Sequence, residues 1–385
     1  MTTPRGTSRG RAQGQAGPAP RPIAEVRENM LERARALRNP FSYTRYEEVE
    51  AAFARLDSLD RDQWAAAFSA LAPPYEARAA EAEAAGDTAA ARENYLIAYD
   101  YYHIARYPAP NSPGKLAAYR KSQENYLKAA RYFDPPLAAV EMPFQGRSGE
   151  GSVVPGHLRK PAGAAAALPL VVLWGGIDSF KEDRPVQQYL DAGFATLSID
   201  MPGVADSPVA GSEDAERSFD AIFDWIATRP DLDAARVGLH GGSTGGYWAT
   251  KVAHTHRDRV RAAINQGGPA HFAFEPDWIV KAQYGEYPFE LAETLASAFG
   301  RATYQEWVEY APRLSLVRQG VLDQPCAPLL CVNGVNDSVF PVQDMYVLLE
   351  HGDVKDARLF VAGHMGNTPQ TQPIITRWLR EHLTS

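Results

Sequence analysis

Cysteine is nearly absent: two residues in 385, Cys326 and Cys331. They lie on or beside one predicted strand, poorly placed to bridge each other, so a disulfide framework is excluded and free thiols in a reducing cytoplasm are expected. No apolar run approaches about 18 residues, so no membrane span is expected. The first residues carry Arg5, Arg9, Arg11 and Arg21 among Gly, Pro, Ala and Gln, without the apolar stretch of a secretory signal. Positive charge is in deficit, with a formal net charge of −8, which argues against nucleic acid as a partner. No His/Cys/Asp cluster has ligand spacing, so neither a metal nor an organic cofactor is expected.

What is present divides by texture. Residues 1–22 read as a disordered tail. Residues 23–134 are Ala-, Glu-, Arg- and Leu-rich with helical periodicity, broken at Pro73-Pro74, Pro108, Pro110 and Pro113. Within them small and aromatic residues recur at helical spacing (Ala91, Tyr95, Ala98, Tyr102, Ala105, then Tyr119, Tyr126, Ala129, Tyr132), as in packed helical hairpins. Most of these tyrosines are expected in the core. Some of them, with the aromatics of 272–310, suggest a large apolar cleft.

From residue 135 to 385 short apolar runs alternate with amphipathic segments. Eight strands are expected: Ala138–Pro143, Val153–Leu158, Leu170–Trp174, Ala195–Asp200, Arg236–His240, Arg261–Asn265, Leu329–Asn333 and Ala357–Val361. Two leading strands followed by β-α alternation indicate an α/β domain with a mostly parallel sheet. The segment from about 267 to 325 is too long for a simple connection and reads as a lid insertion after the sixth strand.

The densest chemical signal is Gly241-Gly242-Ser243-Thr244-Gly245, a G-x-S-x-G between a buried strand and a helix. A serine on so tight a turn takes a strained conformation and needs neighbours almost free of side chains. A plain glycine-rich turn would read similarly, but the strand before and helix after favour a nucleophile. A serine hydroxyl needs a base, and the base needs an orienting acid. His364, in Gly363-His364-Met365-Gly366, is the histidine that combines chain order, strand end and flanking glycines. Asp337 follows an apolar strand directly, with Asp323 and Asp344 as weaker alternatives and a plain turn aspartate as the bland one. His254 and His256 fall at the far end of the following helix, and His240 reads as packing. The order Ser…Asp…His is that of the α/β-hydrolase fold. For the developing oxyanion, the N–H of Thr244 is one expected donor. The loop Gly175-Gly176-Ile177 supplies the other, from Ile177 or Gly176.

Three motifs in order, Gly-Gly-Ile-Asp-Ser-Phe-Lys-Glu-Asp at 175–183, Asp-Met-Pro-Gly-Val-Ala-Asp-Ser at 200–207 and Gly-Gly-Ser-Thr-Gly-Gly-Tyr at 241–247, resemble one branch of the α/β-hydrolases. It is the branch of the FrsA-like esterases, the 2,6-dihydroxypseudooxynicotine hydrolases and the fungal heptaketide hydrolases, and the likeness covers most of residues 70–385. The resemblance implies an N-terminal helical domain over the catalytic core with a small-molecule substrate between them, a Ser243–Asp337–His364 triad and a homodimer. It also implies cleavage of an ester, or of a C–C bond next to a ketone, in aromatic or polyketide compounds. An additional acidic residue after the sixth strand is implied too, with Glu275 or Asp277 as its match. Glu275, His271, which opens the insertion, Asp178, Tyr247 and Trp278 are the expected substrate-lining residues. Two other functions share these residues: an acyltransferase or cyclase in which an alcohol or amine replaces water, and a non-catalytic binding protein. A prolyl-oligopeptidase-type peptidase is disfavoured, since nothing reads as a propeller.

Overall fold

The computed structural model describes residues 19–163 and 167–384. Most of the expected tail, residues 1–18, lies outside them. Six helices come first: α1 (Ile23–Arg35), α2 (Tyr46–Phe53), α3 (Arg61–Ser69), α4 (Pro73–Ala84), α5 (Thr88–Arg106) and α6 (Pro113–Ala130). Local chemistry sets their starts. Asp60, Asp87 and Ser112 each accept a backbone N–H of the helix that follows, and Pro73 and Pro113 sit in first turns where the missing N–H costs nothing. The stretch 79–107, periodic throughout, is broken at Gly86 (φ 78°), which ends α4 before Asp87 caps α5. α5 is the central helix, with every residue from Tyr95 to Arg106 buried. The small/aromatic repeat does pack, Ala79, Ala91, Tyr95 and Ala129 forming one cluster.

The second part is an eight-stranded sheet: β1 (Leu137–Pro143), β2 (Val153–Arg159), β3 (Leu168–Trp174), β4 (Ala195–Ile199), β5 (Leu232–Gly242), β6 (Ala262–Gln266), β7 (Leu329–Gly334) and β8 (Asp356–Phe360). The spatial order is β1-β2-β4-β3-β5-β6-β7-β8. β1 and β2 are antiparallel to their neighbours and the remaining pairs parallel. β4, β6 and β7 are buried along their whole length, as covered parallel strands must be. One face carries α7 (Gln187–Asp191) and a C-terminal helix, Thr371–Leu383; the other carries α8 (Ser218–Ala227) and α9 (Thr244–Thr255). This order, with helices on both faces, is the α/β-hydrolase fold.

Between β6 and β7 runs the insertion, with α10 (Pro276–Ala282), α11 (Leu291–Ala298) and α12 (Tyr304–Tyr310). Its aromatics divide between two cores. Phe299 and Trp307 pack with Trp248 of α9, whereas Phe289 enters the helical core against Trp64 and Tyr107. The insertion thus ties the helices to the sheet. The first two family-like motifs form a second tie. Lys181 is buried among Asp200, Asp206 and Glu182, and Asp206 also accepts from Tyr119 and Gln123 of α6. Asp183 accepts from Arg106 and Tyr99 of α5. Buried charges are tolerated only when paired in this way.

Candidate active site

The parallel strands end on one edge of the sheet, and register brings Gly241 of β5 beside Trp174 of β3 and Asn265 of β6. Past that edge Ser243 sits at φ 55°, ψ −133°, a strained conformation for a residue with a side chain. Neighbouring backbone holds it there: Ser243 N–H donates to the Gln266 carbonyl at 2.8 Å, and Gly246 N–H to the Ser243 carbonyl at 2.8 Å. The helix after the turn is α9, with its N-terminus beneath the serine.

β7 and β8 deliver the partners. His364 Nδ1 lies 2.8 Å from Asp337 Oδ2, and His364 Nε2 lies 2.8 Å from Ser243 Oγ. A carboxylate only accepts, so Nδ1 carries the proton and Nε2 is free to take one from the serine. Asp337 is itself fixed: Val339 N–H (2.8 Å) and Phe340 N–H (3.0 Å) donate to Oδ1, and Asn333 Nδ2 donates to Oδ2 at 2.9 Å. Of the alternative acids, Asp323 faces His351, and Asp344 accepts the Ala270, Phe272 and Ala273 N–H groups that start the insertion.

Burial pulls the His364 imidazolium down, but the charge and hydrogen bond of Asp337, with Glu286 and Asp178 nearby, outweigh it and leave the pKa above its ordinary 6.5. A general base must be neutral, so kcat/KM is expected to rise with pH through a midpoint above 6.5. Replacing Glu286 by Gln removes one raising charge and moves that midpoint downward. A pH–rate profile of both proteins checks the order.

The loop after β3 lies against the serine. A Cβ on Gly176 would come 2.8 Å from Ser243 Cβ, 3.0 Å from its Oγ and 3.4 Å from Thr244 N. Among the described residues no acceptor takes the N–H of Gly176, Ile177 or Thr244. Of the three, Gly176 lines the cavity, while Ile177, beside it in sequence, and Thr244, next to the serine, are buried. Gly176→Ala forces the serine or the loop aside, and serine reactivity should fall about a hundredfold, as near-ångström misplacements do. Fluorophosphonate labelling rates measure this.

A cavity of about 700 Å³ opens at Ser243 and His364. Asp178 and Gly176 line it, as the sequence suggests, but four expected lining residues do not. Tyr247, on α9, is fully buried against Trp248 and Phe274. His271 is turned to Ser315 Oγ (2.7 Å) and Glu275 to Arg318 (2.7 Å), both outside the cavity. Trp278 stands one layer back, donating to the carbonyl of the lining residue Val339 at 2.9 Å. Asp277 in α10 does not line the cavity either.

The insertion residues that reach the cavity are Glu286 and Tyr287. Glu286 Oε1 accepts the His364 backbone N–H at 2.9 Å and the Ser338 N–H at 3.2 Å, fixing both strand-end loops. No strand or glycine pattern marks Glu286 in the sequence. His240, expected to serve packing, also reaches the cavity, between Tyr189 Oη and Gln266 Oε1; burial lowers its pKa to about 4, so it is a neutral polar wall. Arg33, Arg38 and Asn39, from α1 and the loop after it, also line the cavity. The cavity is therefore not the purely apolar cleft that the aromatic count suggests. Trp174, Leu173, Tyr287 and Val339 give apolar surface, interrupted by arginines, amides and two carboxylates.

A profile of the family described as "Esterase FrsA-like" matches residues 61–384. The esterase FrsA of Yersinia pestis is 28% identical over 267 residues, 67% of this chain and 62% of that protein. The 20-hydroxy-prefusarin hydrolase of Gibberella moniliformis is 28% identical over 264 residues, 63% of this chain and 61% of that protein. The chain spans about half to three-fifths of the length of the curated relatives it matches. Among solved structures, the 2,6-dihydroxy-pseudo-oxynicotine hydrolase superposes with a TM-score of 0.71 at 23% identity, covering 89% of this chain and 93% of that one. That likeness is one of fold.

Proposed function

This chain belongs to the FrsA-like esterase family, and from that premise we propose that it is a serine hydrolase that cleaves an acyl bond in a small molecule. The bond is an ester or a C–C bond beside a ketone, in an aromatic or polyketide-like compound that also carries oxygen functions. The observation that carries this reading is the unbroken hydrogen-bond relay from Asp337 through His364 to Ser243 at the wall of a cavity. The names of the Yersinia and Gibberella relatives, an esterase and a hydrolase, support the same chemistry.

In the first half-reaction Ser243 Oγ attacks the carbonyl carbon and passes its proton to His364 Nε2. Asp337 stabilises the imidazolium, and the N–H groups of Thr244 and of the 176–177 loop hold the oxyanion. The tetrahedral centre collapses, and His364 returns the proton to the leaving group. That group is an alcohol from an ester, or an enol from a C–C cleavage. In the second half water gives a proton to His364 and adds to the acyl-enzyme, and His364 passes that proton to Ser243 Oγ as the acyl–Oγ bond breaks and a carboxylic acid leaves. Residues 23–134 act as the cap over the site, and the insertion forms part of its wall.

Incubation with aryl esters and aryl 1,3-diketones in oxygen-18 water tests the reading. One heavy oxygen in the released acid, with an acyl adduct on the quenched protein, is expected. No adduct and no turnover across both classes would overturn it.

A further inference from the structure

Arg184 lines the cavity and has no hydrogen bond or ion pair among the described residues. It follows directly on the Lys181–Glu182–Asp183 segment whose three side chains are consumed by the ties to α5 and α6. Its Nε is buried without a hydrogen-bond partner, and no described carboxylate pairs with it. Its guanidinium lies between the two loops that build the site: Nη1 is 2.8 Å from where a Cβ on Gly175 would sit and 3.8 Å from where one on Gly242 would sit. Gly175 precedes the oxyanion loop and Gly242 precedes the serine.

Of the other charged lining groups, Arg33, Asp178 and Glu286 have fixed hydrogen-bond partners. Arg33 donates to Asn29 Oδ1 and to the Asn39 and Glu286 carbonyls. Asp178 accepts from Asn39, and Glu286 holds the His364 and Ser338 N–H groups. Arg38 is solvent-exposed. Burial pulls the Arg184 pKa down, and the charges of Asp183 and Asp178, near but not paired with it, offset that only in part, so a negative group brought by a substrate would be stabilised beside the guanidinium. Its planar fork suits a carboxylate. The histidine and amides beside it, His240, Gln188 and Gln372, are neutral and compete for no charge.

We propose that Arg184 is a specificity residue: it takes a carboxylate carried by the acyl part of the substrate, a few bonds from the carbonyl that Ser243 attacks. This rests on the hydrolase reading above and narrows it to acidic substrates. The acid released by one turnover is then a dicarboxylate.

The test compares two probes with the same p-nitrophenol leaving group on the same protein, mono-p-nitrophenyl adipate and its neutral monoamide. Wild type is expected to prefer the carboxylate probe in kcat/KM by at least about tenfold, chiefly through KM. In Arg184→Met that ratio falls to about one, and Arg184→Lys keeps part of it. An arginine that merely braces the two loops changes both probes alike and leaves the ratio where it was. Equal turnover of both probes by wild type overturns the proposal and leaves the hydrolase reading standing. Turnover of neither probe, with no acylation of Ser243, overturns both.

Discussion

Ser243→Ala loses turnover by about 10⁵- to 10⁶-fold, the scale on which a triad fails when its nucleophile is removed. The loss falls on kcat, because the serine contributes little to the cavity surface that holds substrate. Stability moves little. The hydroxyl meets His364, while the strained turn is held by backbone hydrogen bonds to Gln266 and Gly246 that alanine keeps. What activity remains comes from the oxyanion N–H groups acting on water. Initial rates on an aryl ester, beside a thermal unfolding midpoint within a few degrees of wild type, check both halves. A Ser243→Ala protein with more than a tenth of the wild-type rate contradicts the account.

Asp337→Asn is expected to cost about 10⁴-fold in kcat, the scale of such a change in a serine protease triad. The reason is a tautomer. Oδ1 accepts from Val339 and Phe340, two N–H bonds worth about 1 kcal/mol each, so the amide oxygen stays on that side. The NH₂ then replaces Oδ2 and faces His364 Nδ1 and Asn333 Nδ2 as a donor. To accept from it, the imidazole must move its proton to Nε2, which can no longer take one from Ser243. KM changes far less than kcat. A rise in KM alone, with kcat intact, would show that Asp337 only shapes the loop.

The elbow was legible in the sequence because glycine is the residue that fits its contacts, and the acid and base because each follows an apolar strand within a few residues. The strands themselves fell within a residue or two of their ends, except β5, which starts earlier at Leu232 and runs into the elbow itself. The helical tyrosines were harder. Tyr95 and Tyr102 are core, but Tyr99 and Tyr119 reach Asp183 and Asp206 across the joint with the sheet, which no helical period announces. Least legible were Glu286 and Arg184. Glu286 comes from the irregular middle of the insertion, and its partner loops are 52 and 78 residues away. Arg184 sits one residue beyond a motif whose Lys181, Glu182 and Asp183 are tied into the joint with the helices. Tyr247, Glu275 and His271 looked suitable by type, yet α9 and the insertion turn them into core or onto Ser315 and Arg318.

The central claim is that Ser243 is activated by His364. The most direct measurement is peptide mapping of wild-type protein after reaction with a fluorophosphonate, with His364→Ala run beside it. The account predicts one adduct per chain, on the peptide bearing Ser243, formed rapidly in wild type and not detectably in His364→Ala. An adduct on another residue, or equal labelling without His364, contradicts it.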